Sequence, residues 1–117
     1  MVTSGAWGEQ AAADFLIRKG LGIAARNFRT RFGEIDIIAQ DGKYIVFAEV
    51  KTRKSDRFAA AREHVTPRKQ ARIIAAAEEW LQAHPDAGQP RFDVIEVYGQ
   101  PQAAAPRINH LENAFGG

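Results

Sequence analysis

The order of apolar and polar positions divides the chain into six elements. From Ser4 or Gly5, the side chains Trp7, Ala12, Phe15 and Leu16 recur at helical spacing until Gly20, which predicts an amphipathic helix. Residues 23 to 30 read as a first strand, followed by Gly33 and by two strands, 34 to 40 and 43 to 51, whose apolar residues alternate on either side of Asp41-Gly42. Thr66 is a good N-cap and Pro67 a good first helical residue. They open a second helix to about Ala83, with Gln70, Ile73, Ile74, Ala77, Trp80 and Leu81 facing inward, and His84-Pro85 stops it. Residues 91 to 98 form a last strand. The segment 99 to 117, rich in Pro, Ala and Gly, is expected to be a partly ordered tail behind a single domain spanning 1 to 98.

The hairpin can be read in more detail. Asp-Gly between alternating apolar residues signals a two-residue type I′ turn, because both central positions need positive φ. With Asp41 and Gly42 as the loop, Ile38 pairs with Ile45, Asp36 with Phe47, and Glu34 with Glu49. One face then carries Glu34, Asp36, Ile38, Ile45, Phe47, Glu49 and Lys51; the other carries Ile35, Ile37, Ala39, Tyr44, Val46, Ala48 and Val50, a core surface. The order α-β-β-β-α-β predicts an antiparallel meander, a right-handed helical crossover to a parallel strand, and a mixed sheet with helices on its faces.

On the first face, three carboxylates crowd together at the open end of the hairpin. Like charges opposed in a sheet destabilise it, so Glu34, Asp36 and Glu49 call for a compensating cation: a divalent metal, Lys51, or both. Two or three hard oxygen ligands suit Mg²⁺ or Mn²⁺, which keep waters and take up phosphate oxygens. Lys51 emerges on the same face, where it can orient or help deprotonate a metal-bound water and balance charge in a transition state. The plainer alternative is a solvated strand end in which Lys51 neutralises an acid.

Charge distribution sharpens this picture, although the net charge of the 117 residues is only +2. From Lys51 to Arg72 lie eight basic residues (Lys51, Arg53, Lys54, Arg57, Arg62, Arg68, Lys69 and Arg72) against Asp56 and Glu63, a local balance of +6 that leaves −4 in the remainder. A polyanion held by this basic stretch would lie across the carboxylates, as phosphodiester chemistry requires. A solvated basic surface is the alternative. Hydrophobic content of 45% and charged content of 26% are those of a globular protein. No cysteine is present, which excludes disulfides and thiolate metal sites, and no stretch reaches transmembrane length, so a cytoplasmic protein that does not enter membranes is expected.

The run Gly33-Glu34-Ile35-Asp36-Ile37-Ile38, then Val46-Phe47-Ala48-Glu49-Val50-Lys51-Thr52-Arg53, with Gly5, Gly8-Glu9 and Asn27-Phe28-Arg29 upstream, closely resembles the YraN-type family of bacterial proteins. That family is similar in turn to the PD-(D/E)xK nucleases, above all the archaeal Holliday junction resolvases and RecB-type nuclease domains. The resemblance covers about residues 5 to 98. It implies a restriction-endonuclease-like α-β-β-β-α-β core, with Asp36 and Glu49 as metal ligands, Lys51 as the catalytic lysine, and Glu9 as the acidic residue of the first helix that completes the metal shell. For Glu9 the alternative is a first-turn glutamate favoured by the helix dipole. Lys69 and Arg72 match basic positions typical of the second helix, and Arg68 and Lys69 in its first turn suit a bound phosphate. Two departures stand out: Ile35 occupies the place of the superfamily's proline, and Phe58-Ala59 stands where the family often has Phe-Gly.

These readings converge on a Mg²⁺- or Mn²⁺-dependent endonuclease acting on DNA, branched or damaged, with RNA still open. Its phosphate contacts would come from Arg53, Lys54, Arg57, Arg68, Lys69 and Arg72, with Phe58 able to stack on an unpaired base. The alternatives are a catalytically weak or inactive nucleic-acid-binding accessory protein on the same scaffold and an interaction protein. A homodimer would use the edge of the first strand or the tail near Leu111 and Phe115. His64, His84 and His110 share no ligand spacing and read as surface or helix-end residues.

Overall fold

Thr3 opens the first helix. Its side-chain oxygen accepts from the Ala6 N–H (3.0 Å), and α1 runs Ser4–Arg18 in the computed structural model, which describes residues 3–53, 65–101 and 105–116. The helix ends in a Schellman motif: the Leu21 N–H donates to Leu16 O (2.9 Å) and the Gly20 N–H to Ile17 O (3.0 Å), while Leu21 and Leu16 pack into one apolar cluster. Four further elements are the strands β1 (Gly22–Arg29), β2 (Glu34–Asp41) and β3 (Tyr44–Arg53) and the helix α2 (Pro67–Ala83). At α2 the Thr66 hydroxyl accepts from the Lys69 N–H (3.1 Å), the cap expected of it. The chain finishes with β4 (Gln89–Tyr98) and β5 (Arg107–Phe115).

The sheet order is β1-β2-β3-β4-β5. The first three strands form an antiparallel meander; α2 carries the chain across to β4, which lies parallel to β3, and β5 adds antiparallel to β4. This is the expected α/β architecture, a mixed sheet flanked by helices in the order α-β-β-β-α-β, with one strand added. On the α1 side Ala12, Ala13 and Leu16 pack on Ile37, Ala39, Val46, Ala48, Ile95 and Val97. On the other side Ile73, Ala76 and Ala77 of α2 pack on Ile35, Ile38, Ile45, Phe47, Phe92 and Val94. No helix among the described residues is long and apolar enough to cross a membrane.

Several expectations need correction. The hairpin loop is Gly42-Lys43, not Asp41-Gly42: Asp41 pairs with Tyr44 and Ile38 with Phe47. Of the two loop residues only Gly42 has positive φ (57°), which fits a type II′ turn, whereas type I′ needs two. The shift is even, so residues keep their faces, but continuing the register sets Asp36 opposite Glu49, and Glu34 lies opposite Arg29 of β1 instead of Glu49. Ile35 is the exception. It joins the α2-side cluster, beyond the pair Ile37–Ala48 at which the regular β2–β3 ladder ends.

The segment 99 to 117 is not simply a tail, since 107–115 forms β5. A register break lies between Phe92 and Val94, with Asn113 at φ 52°; Leu111 and Phe115, four residues apart, both face the α2-side cluster, while Ile108 faces the other. Phe115 stacks on Phe92 within the core (5.3 Å between centroids), so it is not available as an intermolecular surface. His110 is likewise not a surface residue. Its Nε2 lies 2.7 Å from the buried Asp93 carboxylate, which also accepts from Arg91 Nε (3.0 Å), Arg91 Nη2 (2.9 Å) and the Asn113 N–H (3.0 Å). Lys54, Arg57, Arg62, His64 and Phe58-Ala59 lie outside the described residues.

Candidate active site

Where the β2–β3 ladder stops, a side chain takes over from the backbone. Asp36 Oδ2 accepts from the Val50 N–H (2.8 Å), which fixes its carboxyl against β3 beside Glu49. Glu49 is only 4% exposed. Its Oε2 meets two ammonium groups, Lys69 of α2 in direct contact and Lys51 of β3 at 3.4 Å. The even spacing of 49 and 51 along β3 puts acid and base on the face that looks toward α2.

Glu9 reaches this corner from the opposite helix. Gly8 makes the approach possible: a Cβ there would meet Thr52 Oγ1 at 2.0 Å, so α1 crosses β3 closely only because position 8 has no side chain. No acidic residue lies in the first turn of α1, so the dipole account of Glu9 does not hold. With its amide nitrogen turned toward the two acids, Asn27 donates to Glu9 Oε1 (3.0 Å) and Glu34 Oε1 (3.1 Å). Asn27 has φ 52°, a left-handed conformation that asparagine tolerates better than most residues. Glu34 also pairs with Arg29 Nε (3.2 Å).

Electrostatics follow from this crowding. The Asp36 carboxyl is pushed up to about 8, first by burial and then by the adjacent charge of Glu49, with Glu9 adding to the push; the Val50 amide favours the ionised form but is outweighed. Burial lowers the pKa of Lys51, and Lys69 lowers it further against the pull of Glu49. For Lys69 burial acts the same way, but contact with Glu49 overrides it and raises its pKa. Of the two lysines, Lys51 therefore gives up its proton more readily.

Glu9, Glu34, Asp36, Glu49, Lys51, Arg68, Lys69 and Arg72 all line a cleft of about 570 Å³, together with Gly33, Val50, Thr66 and Ile73. Acids from α1, β2 and β3 form one wall, and basic side chains from the start of α2 form the other. Arg53 is not among the described lining residues. In the parallel β3–β4 register it is paired with Tyr98, whose phenol feels its charge. Among the described residues no group of three or more His, Asp or Glu side chains is arranged to hold a metal ion as it stands. The Asn27 bridge and the direct Lys69–Glu49 pair carry no local signal in the sequence, where Asn27 stands only as part of a motif and Lys69 only as a phosphate contact.

Comparison with known proteins places this cleft within a recurring sequence. Residues 8–97 match the model of the uncharacterised protein family UPF0102. The chain is 45% identical to the UPF0102 protein of Frankia casuarinae over 112 residues (95% of this chain and 94% of that one). It is 47% identical to that of Geotalea daltonii over 114 residues (97% and 89%), and 48% identical to that of Symbiobacterium thermophilum over 109 (92% of each). Among solved structures, Pyrococcus furiosus SfsA in complex with Ca²⁺ gives a TM-score of 0.33 at 14% identity, over 93% of this chain and 62% of that one, a likeness too slight to bear on function.

Proposed function

The chain belongs to the uncharacterised protein family UPF0102, the family to which its YraN-type motifs point, and from the cleft it carries we propose that it is a divalent-metal-dependent endonuclease acting on DNA. One observation supports this reading above the others: Asp36, Glu49 and Lys51 share a cleft with Arg68, Lys69 and Arg72, so an acidic corner and a phosphate-binding wall face the same space. Branched or damaged DNA is the expected substrate class. A role in repair or recombination would follow from it.

The donor chemistry fits Mg²⁺ or Mn²⁺. Asp36 and Glu49 stand side by side with Glu9 near enough to add to their repulsion, and burial leaves Asp36 reluctant to ionise without a cation. Asp36 and Glu49 would hold the ion, with Glu9 as a further acid. A bound divalent ion supplies positive charge to phosphate oxygens and makes water more acidic. The remaining work falls to the chain. Lys51, whose pKa is lowered, acts as the neutral amine: having given its own proton to solvent, it takes that of the attacking water as the water oxygen bonds to phosphorus, and the departing ester oxygen is protonated from solvent. Arg68 and Arg72 hold flanking phosphates at the start of α2, and Asn27 keeps Glu9 and Glu34 in place.

A second reading has its own support. Glu49 is already neutralised by lysines and, among the described residues, no three-acid group is preformed, as suits a nucleic-acid-binding module that has given up catalysis. Mn²⁺ titration separates the two. The nuclease reading expects wild type to bind Mn²⁺ at least tenfold more tightly than Asp36→Ala, on the order of 1.4 kcal/mol. Equal affinity, with salt-dependent DNA binding unchanged in the variant, would give the second reading preference.

A further inference from the structure

We propose that Lys69 is a resident counter-ion that a divalent metal must displace from Glu49, and that the displaced ammonium then serves the substrate's phosphate backbone. This rests on the metal-dependent reading above and adds a coupling between metal and substrate that the reading does not contain.

A carboxylate as buried as Glu49 does not persist unpartnered. Both of its lysines approach the same atom, Oε2, so the oxygen offered to the cleft already carries cations. The two lysines are not equivalent. Lys51 is fixed on β3 two residues away and its side chain is 25% exposed, whereas Lys69 makes the closer contact although its side chain is 43% exposed. The tighter partner is therefore also the one with an open route into the cleft. Two ammonium groups on one oxygen repel each other, and a divalent ion at the same place cannot join both. Lys69 is the group that can leave.

Its position says where it goes. Lys69 lies in the first turn of α2, where the helix dipole disfavours a cation, so Glu49 rather than the helix holds it. Once released, it joins Arg68 and Arg72 on the wall that faces the acids, at the end of a helix suited to phosphate. Metal loading thus removes a lysine from an acid and adds it to the phosphate-binding surface.

The test uses the full chain and Mn²⁺ alone, without DNA. Calorimetry on wild type, Lys69→Met and Lys43→Met compares loss of the resident charge with loss of a distant one at the hairpin turn. Amine acetylation read by mass spectrometry reports whether Lys69 itself is released in wild type. The proposal expects Lys69→Met to bind Mn²⁺ about tenfold more tightly than wild type. Lys43→Met should match wild type, and Lys69 acetylation should rise at saturating Mn²⁺. Unchanged or weaker Mn²⁺ affinity in a folded Lys69→Met protein overturns the proposal and leaves the nuclease reading standing. Lys69 labelling unaffected by Mn²⁺ overturns it too, and settles the matter if the variant does not fold. Failure of wild type to bind Mn²⁺ at all overturns both.

Discussion

Asp36 sits where burial and the charge of Glu49 both oppose its ionisation, and this gives the metal-free protein a defined pH response. Its folded pKa, about 8, lies above the ordinary 3.8, so the folded state keeps this proton when the unfolded chain has lost it. The stability it contributes is complete below the unfolded value and is lost as pH rises through the folded one. Asp36→Asn, which cannot ionise, should therefore gain stability relative to wild type between about pH 4 and 8 and level off above that range. Urea unfolding in the presence of a chelator would measure this, and a difference flat across the window would show that Asp36 is not held protonated. At this scale the sequence was informative about residues of one hairpin. Asp36, Glu49 and Lys51 could be read because strand periodicity fixes which side chains share a face. The Lys69–Glu49 contact, the Asn27 bridge and the burial of His110 join residues far apart in the chain, and no periodicity reports such contacts.

At the scale of elements, the hairpin and α2 were legible because their signals are local: a glycine turn, an N-cap, a helical stripe. The loop was misplaced by one residue because Asp-Gly and Gly-Lys are both acceptable turns, and the difference lies in whether one or two positions take positive φ. Strand β5 offers no alternation to read, because its apolar residues Ile108 and Leu111 are three apart and face opposite sides of the sheet. What holds β5 is the buried carboxylate of Asp93. Burial alone would raise its pKa, but hydrogen bonds from His110, Arg91 and the Asn113 amide outweigh this and lower it. Asp93→Asn should cost about 3 kcal/mol at neutral pH by leaving the buried Arg91 guanidinium without its main partner, at the low end of the range because Asp41 and Glu112 also face it. A depressed carboxyl gives stability that is present above its unfolded pKa and lost as pH falls through the folded one. The gap between variant and wild type should therefore narrow in acid, below about pH 4. Denaturant midpoints at pH 7 and pH 3 would test both points, and an undiminished gap in acid would assign the loss to packing.

For the whole molecule, the mixed sheet keeps its two apolar clusters apart on opposite faces and leaves the end of the β2–β3 ladder open, where α1 contributes Glu9 and α2 its basic first turn. Sequence order predicted this arrangement, since an antiparallel meander joined by a helix to a parallel strand admits few packings. The uneven charge was also legible, although in the fold Arg68, Lys69 and Arg72 face the acids while Arg53 lies apart. Everything proposed for this cleft depends on its cutting DNA. The direct measurement is cleavage of plasmid, single-stranded and four-way-junction DNA with Mg²⁺ or Mn²⁺ by wild type, Asp36→Ala and Lys51→Ala. Wild type should cleave, Asp36→Ala should show no detectable cleavage, and Lys51→Ala should be slower by about 10²- to 10⁴-fold. Equal cleavage by all three, or none by wild type with any of these substrates, would contradict a nuclease role for this cleft.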